Sequence, residues 1–248
     1  MQLTVLGCAG TFPGPDSPCS SYLIEHDGFR LVVDLGAGAL GQLQRHIGLL
    51  DVDAIYISHL HSDHCIDLVA YSYARRYHPD GLPSALPVYG PAGTRDRIFA
   101  SYEAPPTHGL LEVYDFREVG IGTQQIGPFV VSTARTNHPV ECHALRIEAD
   151  GRSLTYSGDT GVCPELVELA RHTDLLLCEA SWADAESNPP GVHLSGREAG
   201  EHAQQAAAAR LVLTHVVAWA DPEAIEKEAA AAFSGPVELA AAGKTYDV

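Results

Sequence analysis

Four residues that ligate first-row metals fall within six positions of each other: His59, His61, Asp63 and His64, where the apolar run Ala-Ile-Tyr-Ile-Ser ends. Imidazole and carboxylate groups bind Zn2+, Mn2+ and similar ions, and packing gives no reason to crowd so many at the mouth of a strand. At the two-residue period of a strand, His59 and His61 share a face, while Asp63 and His64 open the next helix and can turn toward a second ion. The spacing suits two metals side by side. Three further strand ends carry candidates: Asp159 after Leu-Thr-Tyr-Ser-Gly, His215 after Leu-Val-Leu-Thr, and His138 a short turn beyond residues 130–134. Each alone also reads as a cap or turn residue, but together with the first cluster they complete two coordination spheres.

Elements able to hold these groups recur along the whole chain. Short apolar runs predict strands over residues 3–6, 21–25, 29–33, 54–58, 88–89, 113–117, 129–134, 143–148, 153–157, 175–178, 211–214 and 237–240. Helical patterns cover 39–47, 64–77, 93–102, 164–170, 196–208 and 222–233, and Pro- and Gly-rich loops cover 79–87 and 188–191. This alternation predicts an α/β layered fold. Asp27-Gly28 and Asp150-Gly151 read as hairpin turns, so much of the sheet is expected to be antiparallel or mixed. No segment serves as a domain linker, and one domain over residues 1–248 is expected. The two halves share a rough plan of hairpin strands followed by an apolar strand that ends in a candidate ligand.

The 248 residues are 46% hydrophobic and 19% charged, enough for a large core and too apolar for disorder. Net charge is −17, and only two of the basic residues, Lys227 and Lys244, are lysines. A surface built to grip long nucleic acid is therefore not expected. No run approaches the ~20 apolar residues of a spanning helix, and no basic segment precedes the first apolar stretch, so a cytoplasmic protein with no membrane partner is expected. The six cysteines, none in a C-x-x-C pair, read as reduced thiols in the interior; Cys65, beside the histidines, is the one that could join the site.

With His-Leu-His-Ser-Asp-His, His138, Gly-Asp159-Thr and Thr-His215 in place, the chain resembles the metallo-β-lactamase fold superfamily. Within it, the resemblance is to the ribonuclease Z-like phosphodiesterases. It runs from Leu-Gly-Cys-Ala-Gly-Thr near the start to Thr-His215. The resemblance implies a four-layer αββα sandwich of two mixed sheets flanked by helices. It implies one metal on His59, His61 and His138, a second on Asp63, His64 and His215, and Asp159 bridging them. It also implies that Asp34 supports the histidines from behind, and that Glu179 of Cys-Glu-Ala-Ser-Trp belongs to the same support. His193 matches a histidine that faces the scissile phosphate in that branch, although Leu194 stands where a serine is usual. Ser195-Gly-Arg-Glu198 reads as a capping box, which places His193 just before a helix N-terminus, where anions are favoured.

Two divalent ions, Zn2+ expected with Mn2+ as an alternative, would leave a positive pocket after Asp63 and Asp159 are counted. Metals ~3.5–4 Å apart would deprotonate a bridging water for in-line attack on phosphorus. Asp63 would orient the resulting hydroxide, and His193 would protonate the leaving oxygen. A tRNA 3′-processing endonuclease usually carries a long arm between the third-motif histidine and the bridging aspartate; here that step, from residue 138 to residue 159, is filled by two predicted strands. Val-Leu-Gly-Cys, Gly-Pro-Asp-Ser-Pro, Arg-Arg-Tyr-His-Pro, Tyr-Ser-Gly-Asp-Thr-Gly and His-Leu-Ser-Gly resemble actinobacterial atypical class II cyclic-nucleotide phosphodiesterases. That implies hydrolysis of 3′,5′-cyclic nucleotides, cyclic AMP above all, to 5′-monophosphates by a homodimer. Arg75 and Arg76 are candidates to touch base or ribose, or else compensate a helix C-terminus. Ribonuclease Z activity, a lactonase and a β-lactamase-like hydrolase are the rival expectations.

Overall fold

The computed structural model describes residues 1–102 and 109–248. In chain order its first half contains β1 (Gln2–Gly7), β2 (Ala9–Gly10), β3 (Ser21–His26), β4 (Phe29–Val33), α1 (Ala39–Leu43), β5 (Ala54–Tyr56), α2 (Ser62–Cys65), α3 (Asp67–Arg76), β6 (Leu86–Gly90), α4 (Thr94–Ser101) and β7 (Tyr114–Glu118), with a short 3-10 turn at Gly109–Glu112. The second contains β8 (Gly122–Ile126), β9 (Phe129–Arg135), β10 (His143–Ala149), β11 (Arg152–Tyr156), α5 (Pro164–Leu169), β12 (Leu175–Glu179), α6 (Gly196–Ala206), β13 (Leu211–Thr214), β14 (Val216–Val217), α7 (Pro222–Ala232), β15 (Val237–Leu239) and β16 (Thr245–Asp247). Among the described residues no helix is long and apolar enough to cross a membrane.

Two seven-stranded mixed sheets form the frame, ordered β16-β1-β3-β4-β5-β6-β7 and β15-β13-β12-β11-β10-β9-β8. In each, antiparallel hairpin strands give way to parallel ones: β4 to β5, β6 and β7 in the first sheet, and β11 to β12, β13 and β15 in the second. The turns Asp27-Gly28 and Asp150-Gly151 close their hairpins with both residues left-handed, at φ 49° and 78° and at φ 49° and 74°. Such turns match the right-handed twist of the strands they join. The central core lies between the sheets, where Leu3, Tyr22 and Val33 meet Phe129, Leu145 and Tyr156. A second apolar layer packs α1, α3 and α4 on the first sheet, and a third packs α5, α6 and α7 on the second. The αββα order of layers follows, because each sheet has two apolar faces to cover.

The elements depart from the sequence pattern where the backbone is diverted toward the site. The strand expected to reach residue 58 leaves its ladder at Tyr56: the Ser58 amide donates to the Asp34 carboxylate at 2.7 Å, and its carbonyl accepts from His143 in the other sheet. The helix expected over 64–77 is broken at Ile66. There the Asp67 amide donates to the Leu35 carbonyl instead of continuing the ladder, and the Asp67 side chain takes the Leu40 amide at 2.9 Å. Gly36 is needed for that junction, since a β-carbon on it would overlap the Asp63 carbonyl. Leu86 and Pro87, read as loop, begin β6, while β8 and β16, unread in the sequence, complete the sheet edges.

Candidate metal centre

The ligand candidates converge where the strands of both sheets end, the place at which open α/β sheets gather function. β5 leads through residues 57 and 58 to His59 and His61, α2 presents Asp63 and His64, and β9, β11 and β13 run out into His138, Asp159 and His215. His59 Nε2 and His138 Nε2 lie 3.0 and 3.2 Å from His61 Nδ1. His215 Nε2 and His64 Nε2 lie 3.4 and 3.6 Å from Asp63 Oδ2. Asp159 spans the two groups, with Oδ2 at 3.6 Å from His59 and 3.4 Å from His215, and Oδ1 at 3.2 Å from His64. Ligand atoms within each foursome, His59–His61–His138–Asp159 and Asp63–His64–Asp159–His215, all lie within 4.8 Å of one another.

The buried polar atoms test whether metals belong here. His64 Nε2 and Asp159 Oδ1 face each other, yet neither makes a hydrogen bond, and both are buried. Such orphaned groups are costly unless something else takes their lone pairs. Burial holds the pKa of His59 and His61 below the ordinary imidazole value, which keeps their lone pairs available. Burial opposes ionisation of Asp159, but His215, His64 and His59 outweigh it and hold its carboxyl well below the usual range. Burial disfavours a charged His64, but Asp159 and Asp34 outweigh it and hold its pKa above the ordinary imidazole value, so an ion at Nε2 would have to displace a proton; with neutral His59 and His61 and an ionised Asp159, the residues fit a pair of divalent metals.

A set of groups outside the ligands fixes their orientation. Asp34, fully buried at the end of β4 with φ 57°, accepts from the Ser58 amide and hydroxyl, from Tyr156 at 2.9 Å and from His64 Nδ1 at 2.7 Å. That last bond commits His64 to present Nε2. His138 Nδ1 donates to the Val192 carbonyl at 2.9 Å, with the same effect. Glu179, at the end of β12, receives the Thr160 and Leu194 amides, the Ser181 hydroxyl and His193 Nδ1, the last at 3.1 Å. Ser181 in turn pairs with His215 Nδ1 at 3.0 Å. Glu179 thus orients His215 through Ser181 and His193 directly. Burial disfavours a charged His193, but Glu179 overrides it and raises the pKa to about 9, so the ring is a cation at neutral pH. Its position immediately ahead of α6 is enforced by the capping box expected from sequence, with Ser195 and Glu198 each bonded to the other's backbone amide.

Not every candidate reaches the centre. Arg75 is buried and gives Nη2 to the Ser84 carbonyl at 3.0 Å, while Arg76 pairs with Glu112 at 2.7 Å and the Gly109 carbonyl. Both guanidinium groups brace the far end of α3 and neither joins the ligands. Cys65 donates to the His61 carbonyl at 3.2 Å, and burial pushes its thiol up to about 11; it supports the ligand loop as a protonated group. Three contributors carried no signal in the sequence. Ser181 is described above, the Thr11 amide donates to Asp63 Oδ2 at 2.9 Å, and Arg97 Nε donates to the Leu60 carbonyl at 3.2 Å. Thr11 adopts a left-handed backbone at φ 65°, which a threonine does not announce in the sequence.

Known proteins resemble this chain in sequence and fold. A family model described as a β-lactamase superfamily domain matches residues 29–216. The uncharacterized protein Rv1339 of Mycobacterium tuberculosis is 43% identical over 258 residues, covering 100% of this chain and 92% of the relative. A ribonuclease Z of Mycobacterium bovis is 30% identical over 273 residues, covering 96% and 95%. The crystal structure of the metallo-β-lactamase fold protein YhfI of Bacillus subtilis superposes with a TM-score of 0.86 at 27% identity, covering 99% of this chain and 98% of that one.

Proposed function

The chain belongs to the β-lactamase superfamily, in its ribonuclease Z-like branch, and from that premise we propose a dinuclear-metal phosphodiesterase that hydrolyses 3′,5′-cyclic nucleotides, cyclic AMP above all, to 5′-monophosphates. It is a metal-dependent hydrolase by family; the substrate is our reading. The observation that carries this reading is the tight hairpin between His138 and Asp159. β10 and β11 fill the step from His138 to Asp159 and are joined by the Asp150-Gly151 turn, so no arm that could hold a folded RNA rises there. A compact diester needs only the pocket.

His59, His61 and His138 would hold one ion and Asp63, His64 and His215 the other, with Asp159 between; the histidine-rich donor set suits Zn2+, and Mn2+ is the alternative. Bound there, two divalent ions would supply Lewis-acid activation of water and phosphate. The remaining steps fall to the chain. Asp63, held by the Thr11 amide, is placed to orient the attacking water and take its proton. As the water oxygen bonds to phosphorus, the bond to the 3′-oxygen breaks, and His193 passes its proton to that oxygen from the ring nitrogen that Glu179 leaves free. Glu179 keeps His193 charged and correctly turned.

The test is a hydrolysis panel on the zinc- or manganese-loaded protein: cyclic AMP, cyclic GMP, 2′,3′-cyclic nucleotides, bis(p-nitrophenyl) phosphate, nitrocefin and precursor tRNA. The 3′,5′-cyclic nucleotides should turn over fastest and yield 5′-monophosphates. Cleavage of precursor tRNA without cyclic-nucleotide turnover would replace the proposal with a ribonuclease Z activity.

A further inference from the structure

Phe12 and Trp219 belong to no ligand set and have no part in the steps above. Trp219 is 77% exposed, the highest value among the large apolar side chains of the described residues, and its ring rests against Phe12 with centroids 4.7 Å apart and planes at 36°. A lone exposed tryptophan would need no explanation. This pair, however, is mounted on the framework of the metal centre.

Phe12 directly follows Thr11, whose amide binds the Asp63 carboxylate, so its Cα lies one chain step of ~3.8 Å beyond that contact. Trp219 sits four residues past His215, on the turn that follows β14. β14 pairs with β2, Val216 beside Ala9 and Val217 beside Gly10. The turn is closed by the Ala220 amide on the Val217 carbonyl at 2.8 Å, and the Phe12 amide reaches the Gly10 carbonyl at 2.7 Å. A β-carbon on Gly14 would lie 3.4 Å from that of Ala218, so the two loops touch again beyond the rings. Two loops tied at three levels hold the rings in place, at the edge of the site nearest Asp63 and His215. Phe12 lies tilted against the indole, most of which remains exposed.

We propose that Trp219, backed by Phe12, is a stacking platform for the planar base of a nucleotide whose phosphodiester lies at the metal centre. This rests on the phosphodiesterase reading and adds to it the feature that distinguishes a nucleotide from any other small diester. A fixed aromatic face receives a base at little conformational cost, and stacking of this kind tolerates any base while rejecting a substrate that has none. The pair is a specificity determinant; the reacting atoms are elsewhere.

The experiment compares wild type, Trp219→Ala, Phe12→Ala and Trp219→Tyr, all zinc-loaded, on cyclic AMP and on methyl β-riboside 3′,5′-cyclic phosphate, the same ring without a base. In Trp219→Ala the ratio of kcat/KM for the two should fall about ten-fold, with a smaller fall in Phe12→Ala and most of the ratio kept in Trp219→Tyr. An unchanged ratio would place the base elsewhere, for example in the ~350 Å3 cavity walled by Asn137, Asn188 and His193, and would overturn the proposal. A binding arm separates this from the activity itself: equilibrium dialysis of 5′-AMP against ribose 5-phosphate. If wild type hydrolyses neither diester, the cyclic-nucleotide reading fails. A preference for 5′-AMP that is lost in Trp219→Ala would still establish the platform, and equal binding in both proteins would refute it.

Discussion

Asp34 touches no substrate, yet its carboxylate takes four donors and one of them is His64. Asp34→Asn keeps the volume but loses the charge and one acceptor, so His64 is no longer committed to a single tautomer. Metal affinity should fall about 10- to 100-fold, read by competition with a chromogenic chelator; an unchanged affinity would mean that packing alone orients His64. Ser181→Ala should act in the same way on His215 and by a similar factor. His193→Ala should lower kcat about 10^2- to 10^4-fold at full metal content, and an unchanged kcat would remove His193 from the chemistry. Asp34, His59, Asp159, Glu179 and His215 were visible because each stands at the end of an apolar run, and His61, Asp63 and His64 because they crowd behind His59. Ser181, Thr11 and Arg97 were not, because what they touch is set by the fold; Thr11 meets Asp63 across 52 positions of chain.

Strands whose residues lie in the core were legible because apolar side chains recur along them, and β4 and β13 have the same limits in the structure as in the pattern. β8, Gly-Thr-Gln-Gln-Ile, and β16, Thr-Tyr-Asp, were not, since an edge strand faces water and lacks apolar alternation. The α2–α3 break was invisible for another reason: it depends on the Leu35 carbonyl, which sequence spacing does not reveal. At this scale the joint between β11 and β12 invites a test. Asp174 takes the Ser153 amide at 2.8 Å, its hydroxyl at 2.9 Å and Arg152 at 3.0 Å. Burial would raise its pKa, but Ser153 and Arg152 outweigh burial and lower it. Because the folded protein then binds this proton less readily than the unfolded chain, the stabilisation is complete above the ordinary carboxylate pKa and is lost as pH falls through the lower, folded value. Asp174→Ala should therefore cost about 1–2 kcal/mol at pH 7, and the deficit should shrink below about pH 4, as measured by urea unfolding at both pH values. A deficit that does not change with pH would assign the effect to packing.

For the molecule as a whole, the charge of −17 and the paired sheets act together. Two similar half-frames set their strand ends against each other and gather the candidate ligands at one edge of a chain whose net charge is strongly negative. The net charge opposes a polyanion, whereas a single diester could be drawn to a focused positive centre formed by bound metals. Gel-shift titration with precursor tRNA should thus show no gain in affinity as salt is lowered, the opposite of a protein that neutralises many phosphates; a steep gain would argue for an RNA substrate. The most direct test of the account is to titrate metal-free protein with Zn2+ while following 5′-AMP release from cyclic AMP. We predict a rate that rises to a break at two equivalents per chain. No 5′-AMP at any loading, or a break at one equivalent, would contradict it.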